Sequence, residues 1–184
     1  MTIVEAIQQI LDRDPETRIL ACAPSNSAAD VIARRLSAVL EHEELFRFNA
    51  PSRERAAVPP ELLPYTFMNE NGLFSHPPLE IVKTYRVIVC TCLSAAFTYG
   101  IGVERGHFSH VFIDEAAQAT EPEAMVVVKN TAIATTKLIL SGDPKQLRPI
   151  ILSVIASELG LSVSYLERLM ECETYQGLTD GSTG

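Results

Sequence analysis

Two short apolar segments, each followed directly by acidic and polar residues, constrain this chain most. Residues 110–118 read HVFIDEAAQ, and residues 137–149 read KLILSGDPKQLRP. Continuous apolar runs of this length predict parallel strands that are buried on both faces. The carboxyl ends of parallel strands meet at one edge of a sheet, where open α/β sheets bind ligands. We therefore expect four polar side chains at that edge: Asp114, Glu115, Asp143 and Gln146.

Helix-like and strand-like segments alternate along the rest of the chain, which is typical of α/β proteins. Apolar periodicity predicts helices over residues 3–12, 26–41, 94–99, 121–130 and 161–172. Two further buried strands are predicted over residues 18–23 and 86–91. Because helical or long segments join all the predicted strands, the sheet should be parallel with right-handed crossovers.

Residues 42–84 break this alternation. The segment is rich in proline, which disfavours both helices and central strands. We expect it to be an irregular insertion and not a second domain. Its basic residues should lie in solvent, where Arg53 or Arg55 is a candidate contact to nucleic acid. The chain is then one partial domain over residues 1–175. A Gly-, Ser- and Thr-containing tail over residues 176–184 should be frayed.

Composition restricts the classes of function. The net charge is −8 and the pI is about 5.0, whereas proteins that bind nucleic acid mainly by electrostatics are usually basic. The chain has no apolar run long enough to span a membrane. Three of its four cysteines, Cys22, Cys90 and Cys92, fall in predicted strands, and we interpret them as core thiols in a reducing compartment. This interpretation implies a cytoplasmic location.

The acidic pair Asp114-Glu115 is suited to magnesium and water chemistry. Mg²⁺ is usually bound by one or two carboxylates together with substrate phosphates, so Asp114 would hold the metal. Glu115 would orient and deprotonate an attacking water, and Asp143 and Gln146 would contact the nucleotide, with Gln146 at the γ-phosphate or the water. Each motif alone has a simpler explanation, namely an acidic first turn of a helix or a turn that ends a strand. Their occurrence on successive strands favours nucleotide chemistry.

Two strand-to-helix junctions provide candidate contacts to a nucleic-acid backbone. The first carries Pro24, Ser25, Asn26 and Ser27, and the second carries Thr91 and Ser94. Hydroxyl groups, amide groups and the free N–H groups of a helix N-terminus can bind phosphate oxygens without a large positive charge. Simple N-capping of the following helix explains the first junction equally well on local grounds.

Together these motifs resemble superfamily 1 helicases of the Upf1-like group, and within it the Moloney leukaemia virus 10-type RNA helicases of the Armitage branch. Residues 114–118 match motif II of that family, and residues 142–149 match motif III. The resemblance is looser elsewhere: residues 2–7 are similar to the helix after the phosphate loop, 23–27 to motif Ia, 89–92 to the next nucleic-acid motif and 165–169 to the segment beyond motif III.

The resemblance implies a RecA-like, three-layer α/β sandwich of the P-loop NTPase class, with ATP and Mg²⁺ as cofactors. Within it, Asp114 would ligate Mg²⁺, Glu115 would be the catalytic base, and Gln146 would contact the γ-phosphate. It also implies ATP-driven movement on single-stranded RNA, in RNA silencing or turnover, in the cytoplasm with ribonucleoprotein granules as one option. The implied partners are the RNA, a second RecA-like domain of the same protein, and proteins of silencing complexes.

The chain departs from the family pattern because it contains no G-x-x-x-x-G-K-[ST] segment. The resemblance therefore implies an incomplete domain that lacks the phosphate loop and its strand, and that cannot hydrolyse ATP alone. The strand at residues 137–141 would then be an exposed sheet edge. Two alternatives stay open. One is a DNA helicase of the same superfamily, since strand choice needs 2′-OH contacts that the sequence does not reveal. The other is a catalytically inactive truncated isoform that acts as a binding module.

Overall fold

The structure, a computed structural model, describes residues 2–176 and consists of an all-parallel five-stranded sheet with helices on both faces. The strands are β1 (Ile19–Ala23), β2 (Leu45–Arg47), β3 (Val87–Thr91), β4 (His110–Ile113) and β5 (Lys137–Leu140). Their order across the sheet is β2-β3-β1-β4-β5. This is the parallel α/β sandwich that the alternation of segments predicts. The tail that the sequence predicts to be frayed lies, apart from Gln176, outside the described residues.

The helices are α1 (Thr2–Arg13), α2 (Asn26–Leu36), α3 (Leu79–Val82), α4 (Ala96–Gly100), α5 (Glu121–Thr131), α6 (Val154–Ala156), α7 (Tyr165–Met170) and α8 (Glu173–Gln176). Five of them follow the predicted positions with shifted ends, whereas no position was predicted for α3, α6 or α8. Short 3-10 turns occupy residues 55–57, 60–65 and 93–95, and a π-type turn occupies residues 157–161. Helix α5 begins with a capping box, because the Thr120 N–H donates to Glu123 Oε2 at 2.8 Å and the Glu123 N–H donates back to Thr120 Oγ1 at 3.4 Å.

Each face of the sheet is covered by a separate apolar cluster. On one face, α1 and α2 bury Ile7, Ile32 and Leu36 against odd-numbered β1 residues such as Ile19 and Ala21. On the other face, α5 and the segment around residues 95–108 pack against the even-numbered β1 residues and β4. Successive side chains of β1 therefore pack into the two apolar clusters in turn. This explains why β1 is apolar throughout.

The expectation of four strands and an irregular segment 42–84 is wrong at residues 45–47. Leu45, Phe46 and Arg47 form β2, which pairs with β3 and makes one edge of the sheet. Three residues are too few to show an apolar period, and Arg47 is a residue type that seldom lies in a core. The rest of the segment has turns, 3-10 helices and the short α3, with Leu62 and Phe74 buried in the core.

An ion-pair network fixes β2 and its continuation to α2. Asp30 of α2 accepts hydrogen bonds from Arg47 and from Arg53. The Arg53 side chain is only 7% exposed, so the expectation that Arg53 is solvated is wrong, whereas Arg55 is exposed as predicted. Arg53 therefore has its guanidinium committed to partners within the chain.

Two predicted helices are shorter than expected. Helix α2 ends at Leu36 and not at residue 41 as predicted, because the Ser37 hydroxyl donates to the Arg34 carbonyl and the chain turns. The last predicted helix begins at Tyr165, since Gly160 adopts a left-handed φ of 92° and interrupts the helical path.

Strand β5 lies at the other edge of the sheet and pairs only with β4 among the described strands. Leu138, Ile139 and Leu140 are half-buried, and a recess of about 380 Å³ lies beside them and α1. The sheet edge expected at residues 137–141 is thus present. Within residues 2–176, no helix combines the length and the apolarity that a membrane span requires.

Candidate functional site

The turns after β4 and β5 meet at the carboxyl edge of the sheet, as the sequence predicts. Their strands pair in register up to Ile113 and Leu140. Beyond the strands, the Ala116 N–H donates to the Ser141 carbonyl at 2.8 Å, so the two turns are hydrogen-bonded to each other. The Asp114 N–H donates to the Cys22 carbonyl of β1 at 2.8 Å, which holds Asp114 at the tip of the sheet.

Glu115 has an unusual backbone conformation. Its φ is 53°, in the left-handed region that residues other than glycine seldom adopt. Gln118 makes two hydrogen bonds to Glu115. The Gln118 N–H donates to the Glu115 carbonyl at 2.8 Å, and Gln118 Nε2 donates to Glu115 Oε2 at 3.0 Å. Gln118 thus orients the Glu115 carboxylate, a role that the sequence pattern does not assign. The three-residue spacing is the only sequence signal for this contact.

Asp114 is half-buried, and no hydrogen bond or ion pair engages its side chain within the described part of the chain. An open carboxylate at a strand tip suits an oxygen-seeking cation such as Mg²⁺. Among residues 2–176, no three His, Cys, Asp or Glu side chains cluster as a metal site. A magnesium ion at Asp114 would therefore need phosphate and water oxygens for most of its coordination, which is how Mg²⁺ is commonly bound in nucleotide sites.

Asp143 organises the turn after β5. Asp143 Oδ1 accepts a hydrogen bond from the Lys145 N–H at 2.9 Å, and Oδ2 accepts one from Gln146 Nε2 at 3.1 Å. These two hydrogen bonds, the backbone one first, lower the pKa of Asp143 below its usual value and keep it ionised. The Gln146 amide therefore points at Asp143 and not at the Glu115 carboxylate. Arg148 donates to Glu167 Oε1 at 2.7 Å, which ties this turn to α7.

The two strand-to-helix junctions lie side by side. Ala23 and Thr91 are register partners of β1 and β3, and the Cys92 N–H donates to the Ala23 carbonyl at 2.9 Å. Ser25, Asn26 and Ser27 are exposed there, and Pro24 is half-buried. The structure therefore brings the candidate nucleic-acid residues together on one edge.

Several hydroxyl groups at these junctions also have structural partners. Ser25 is the N-cap of α2, since its Oγ accepts from the Ala28 N–H at 3.2 Å and lies 3.0 Å from Ser27 Oγ. Thr91 Oγ1 donates to Ser94 Oγ at 2.8 Å, and Ser94 is buried. Ser94 thus supports the turn from within, whereas Ser25, Asn26 and Ser27 face solvent.

A recess of about 240 Å³ connects the two parts of the site. It is lined by Pro24 and Ser25 of the first junction, by Gln118 after β4, and by the segment 147–150 after β5. The residue that orients Glu115 therefore shares a cavity wall with the candidate nucleic-acid residues. The two parts of the site are therefore joined by the residues that line one recess, so a displacement of residues in one part can reach the other.

The core thiols take no part in this site. Cys22 Sγ and Cys90 Sγ lie 3.6 Å apart and are fully buried, and burial raises the pKa of Cys22 well above its usual value. Burial likewise raises the pKa of Cys92. All three thiols are buried in the core, so the prediction that they are apolar core residues is confirmed.

Comparisons with known proteins agree with the motif analysis. Residues 75–154 match the family model described as an AAA domain. The chain is 42% identical over 178 residues to the human RNA helicase Mov10l1, a match that covers 96% of this chain and 14% of that protein. It is 43% identical over 189 residues to the putative helicase mov-10-B.1 of Danio rerio, covering 100% of this chain and 18% of the relative.

A relative of lower sequence identity also matches nearly the whole chain. The probable RNA helicase armi of Drosophila melanogaster is 34% identical over 194 residues, covering 96% of this chain and 16% of that protein. The similarity extends over nearly all of this chain in each case. The chain spans less than a fifth of the length of each of these relatives.

Proposed function

The chain belongs to the Mov10-type branch of the Upf1-like helicase family, and from that premise we propose that it forms most of the first motor domain of an ATP-dependent RNA helicase. In domain terms, residues 1–175 would be a partial RecA-like domain in which residues 42–84 are an insertion that carries the edge strand β2. The proposed activity is nucleotide hydrolysis coupled to movement on single-stranded RNA.

One observation carries the proposal: the hydrogen bond between the Ala116 N–H and the Ser141 carbonyl, which joins the turns that carry Asp114-Glu115 and Asp143-Gln146. Two acidic and polar turns held in contact at the carboxyl edge of a parallel sheet are suited to a nucleotide and its metal ion. The recess that connects Gln118 to Ser25 supports coupling between the nucleotide and the nucleic acid.

The proposed roles follow from what each side chain contacts. Asp114, whose carboxylate is open, would hold Mg²⁺, and bound Mg²⁺ would neutralise charge on the β- and γ-phosphates of ATP. Glu115, oriented by Gln118, would accept the proton of the attacking water. Gln146 would contact the γ-phosphate after its amide leaves Asp143, and Asp143 would hold the turn in place.

The nucleic-acid side of the proposal uses the exposed junction residues. Pro24, Ser25, Asn26 and Ser27 would line the backbone track, and Thr91 would extend it, with Ser94 buried behind Thr91. Main-chain N–H groups at the start of α2 add donors for phosphate oxygens. Neutral donors of this kind are compatible with the acidic pI.

Turnover requires groups that these 184 residues do not contain. The sequence has no G-x-x-x-x-G-K-[ST] phosphate loop, and loss of a single preorganised donor costs on the order of a hundredfold in rate. We therefore propose that the isolated chain does not hydrolyse ATP, and that a phosphate loop and a second RecA-like domain complete the site. As the motif resemblance implies, the proposed biological setting is RNA silencing or turnover in the cytoplasm, with silencing-complex proteins as partners.

The test starts from the native transcript, read through Met1. A phosphate-loop sequence in frame upstream defines a longer protein, and its ATP hydrolysis is then measured with and without single-stranded RNA. RNA-stimulated hydrolysis that Glu115→Gln lowers at least about a hundredfold, with RNA binding retained, supports the proposal. Equal activity of the Glu115→Gln protein, or stimulation by DNA and not by RNA, contradicts it.

A binding module is the second candidate, and the missing phosphate loop is the observation that favours it. A stop codon upstream of Met1, together with a monomeric chain that melts cooperatively and binds RNA without ATP, would support this function in place of the motor.

A further inference from the structure

A completely buried arginine lies directly behind the candidate nucleic-acid residues. Arg47 of β2 is 0% exposed, and its guanidinium has three partners. Arg47 Nε donates to Asp30 Oδ1 at 2.9 Å, and one terminal nitrogen donates to the Phe48 carbonyl at 2.6 Å. The other terminal nitrogen donates to Asn26 Oδ1 at 3.1 Å. The planar guanidinium thus connects the interior of the domain to a side chain on its surface.

This contact fixes which way the Asn26 amide points. Arginine only donates hydrogen bonds, so the atom that faces Arg47 must be the carbonyl oxygen of the Asn26 amide. The NH₂ group of Asn26 is then directed away from Arg47. Asn26 is exposed and is the first residue of α2, so its NH₂ group lies beside the free backbone N–H groups of the helix N-terminus. The surface therefore presents a set of donors with no competing amide oxygen.

We propose that Arg47 is a positioning residue that locks the Asn26 amide with its NH₂ group outward, to donate to a phosphate or ribose oxygen of a bound nucleic-acid strand. The inference rests on the proposed function, because it takes Asn26 as a backbone contact. A freely rotating Asn26 would present oxygen and NH₂ alternately, and the oxygen would repel a phosphate. Arg47 removes the unfavourable orientation before the strand arrives.

Asp30 explains why an arginine can be held at this position. Burial lowers the pKa of Arg47, and the nearby Asp30 carboxylate opposes that effect. Arg53 pairs with the same carboxylate and also donates to Asn49 Oδ1 at 2.7 Å and to the Ala57 carbonyl at 2.9 Å. Arg53 has no hydrogen bond to Asn26. The two arginines therefore share Asp30, and only Arg47 reaches the surface amide.

A recess next to this amide offers room for a strand. It has a volume of about 470 Å³ and is bordered by Asn26, Ser27, Arg34 and Pro59. The segment after β2 thus forms one wall beside the junction residues. Residues 47–59, which the sequence shows only as an irregular stretch, would in this way help to determine how the nucleic-acid strand is bound.

The test measures binding of a fluorescently labelled ten-nucleotide oligouridylate to the purified 184-residue chain by anisotropy at low salt. Asn26→Ala should weaken binding roughly tenfold, as expected for loss of one hydrogen bond to a charged group. Arg47→Lys keeps the charge next to Asp30 but loses the planar fork, and should weaken binding about three- to tenfold. Arg86→Lys disturbs a partly buried ion pair with Glu44 at the opposite end of β3 from the junctions, without touching Asn26, and should change the affinity by less than about twofold.

A double-mutant cycle separates positioning from general destabilisation. If Arg47 acts through Asn26, Arg47→Lys should have no further effect on RNA affinity in the Asn26→Ala background. The Asn26 side-chain NH₂ resonances should also gain mobility in Arg47→Lys and not in Arg86→Lys, as measured by nitrogen-15 relaxation in the absence of RNA.

The outcomes distinguish this inference from the proposed function. If the unsubstituted chain does not bind the oligonucleotide, or if Asn26→Ala leaves its affinity unchanged, the proposed nucleic-acid contact fails and the inference fails with it. If Asn26→Ala weakens binding but Arg47→Lys does not, only the inference is overturned. Equal losses for Arg47→Lys and Arg86→Lys would likewise overturn it, since a general loss of stability would then explain both.

Discussion

The backbone N–H of Ala116 donates to the carbonyl of Ser141 at 2.8 Å, and Gly142 follows that carbonyl directly. A Cβ atom built on Gly142 would lie 3.0 Å from the backbone nitrogens of both Ala116 and Ala117. Real Cβ contacts are rarely this short, and backbone atoms cannot rotate away as a side-chain tip can. The close approach of the two turns therefore requires glycine at this position.

Gly142→Ala should separate the turns and lower the free energy of unfolding by about 1–3 kcal/mol, the usual cost of overpacking. Urea denaturation of the 184-residue chain measures this. Gly100→Ala is the matched control, because a Cβ atom at Gly100 meets no atom within 4 Å and alanine favours the helical conformation of α4. A Gly142→Ala chain as stable as the control would show that the turns are not in tight contact.

The pairing of Asp30 with two arginines predicts a large cost for removal of its carboxylate. Asp30→Ala leaves the guanidinium of Arg47 buried without a counter-charge and should lower the unfolding free energy by roughly 3–5 kcal/mol. Arg34→Ala removes only a surface pair with Glu61, in which the side chains are 57% and 51% exposed, and should cost less than about 0.5 kcal/mol. Similar urea midpoints for the two variants would contradict a buried network at Asp30.

Ser25 caps helix α2 and is also a candidate phosphate contact. A substitution that adds a negative charge at this position can separate the two roles. Ser25→Asp retains a good cap for α2, so the unfolding free energy should stay within about 0.5 kcal/mol of the original value. The new negative charge repels phosphate, so oligouridylate affinity should fall roughly tenfold. Ser25→Asn caps without charge and should bind more tightly than Ser25→Asp. Undiminished affinity of the Ser25→Asp chain, measured by anisotropy, would place the RNA elsewhere.

His107 predicts a pH dependence of stability. Burial, and then the positive charges of Arg18 and Lys83, lower the pKa of His107 below its usual value. The unfolded chain therefore binds a proton at a higher pH than the folded chain does. The contribution of neutral His107 is complete above about pH 6.5 and is lost as the pH falls from there through the lowered pKa. Urea midpoints between about pH 7.5 and pH 5 should decline less in His107→Gln than in the unsubstituted chain. Parallel curves would contradict this.

The sheet and the edge at which the candidate residues lie were predictable because their signals are local. Buried parallel strands appear as apolar runs, and the residues that end them fall at one edge of the sheet wherever the strands pair. This is why Asp114 and Asp143 were placed correctly from spacing alone. The N-cap Ser25 and the capping box at Thr120 are likewise short-range patterns.

The features that sequence did not predict depend on long-range contacts. Strand β2 has three residues and is held by its pairing with β3 and by the Arg47–Asp30 ion pair, neither of which leaves a periodic pattern. The positive φ of Glu115 is imposed by the turn and by its hydrogen bonds to Gln118, and glutamate gives no local indication of it. Arg53 looked like a solvated residue because its partner, Asp30, lies on another element.

The strand order has a consequence for how this chain folds as it is synthesised. β1 is the first strand of the described residues and lies in the middle of the sheet, yet Ile19 pairs with Val87 on one side and with His110 on the other. The five apolar residues of β1 therefore lack their first β partner until β3 has been translated, and lack the second until β4 follows. Folding must wait for these distant segments, which predicts slow sheet formation and a nascent chain that depends on chaperones to shield β1.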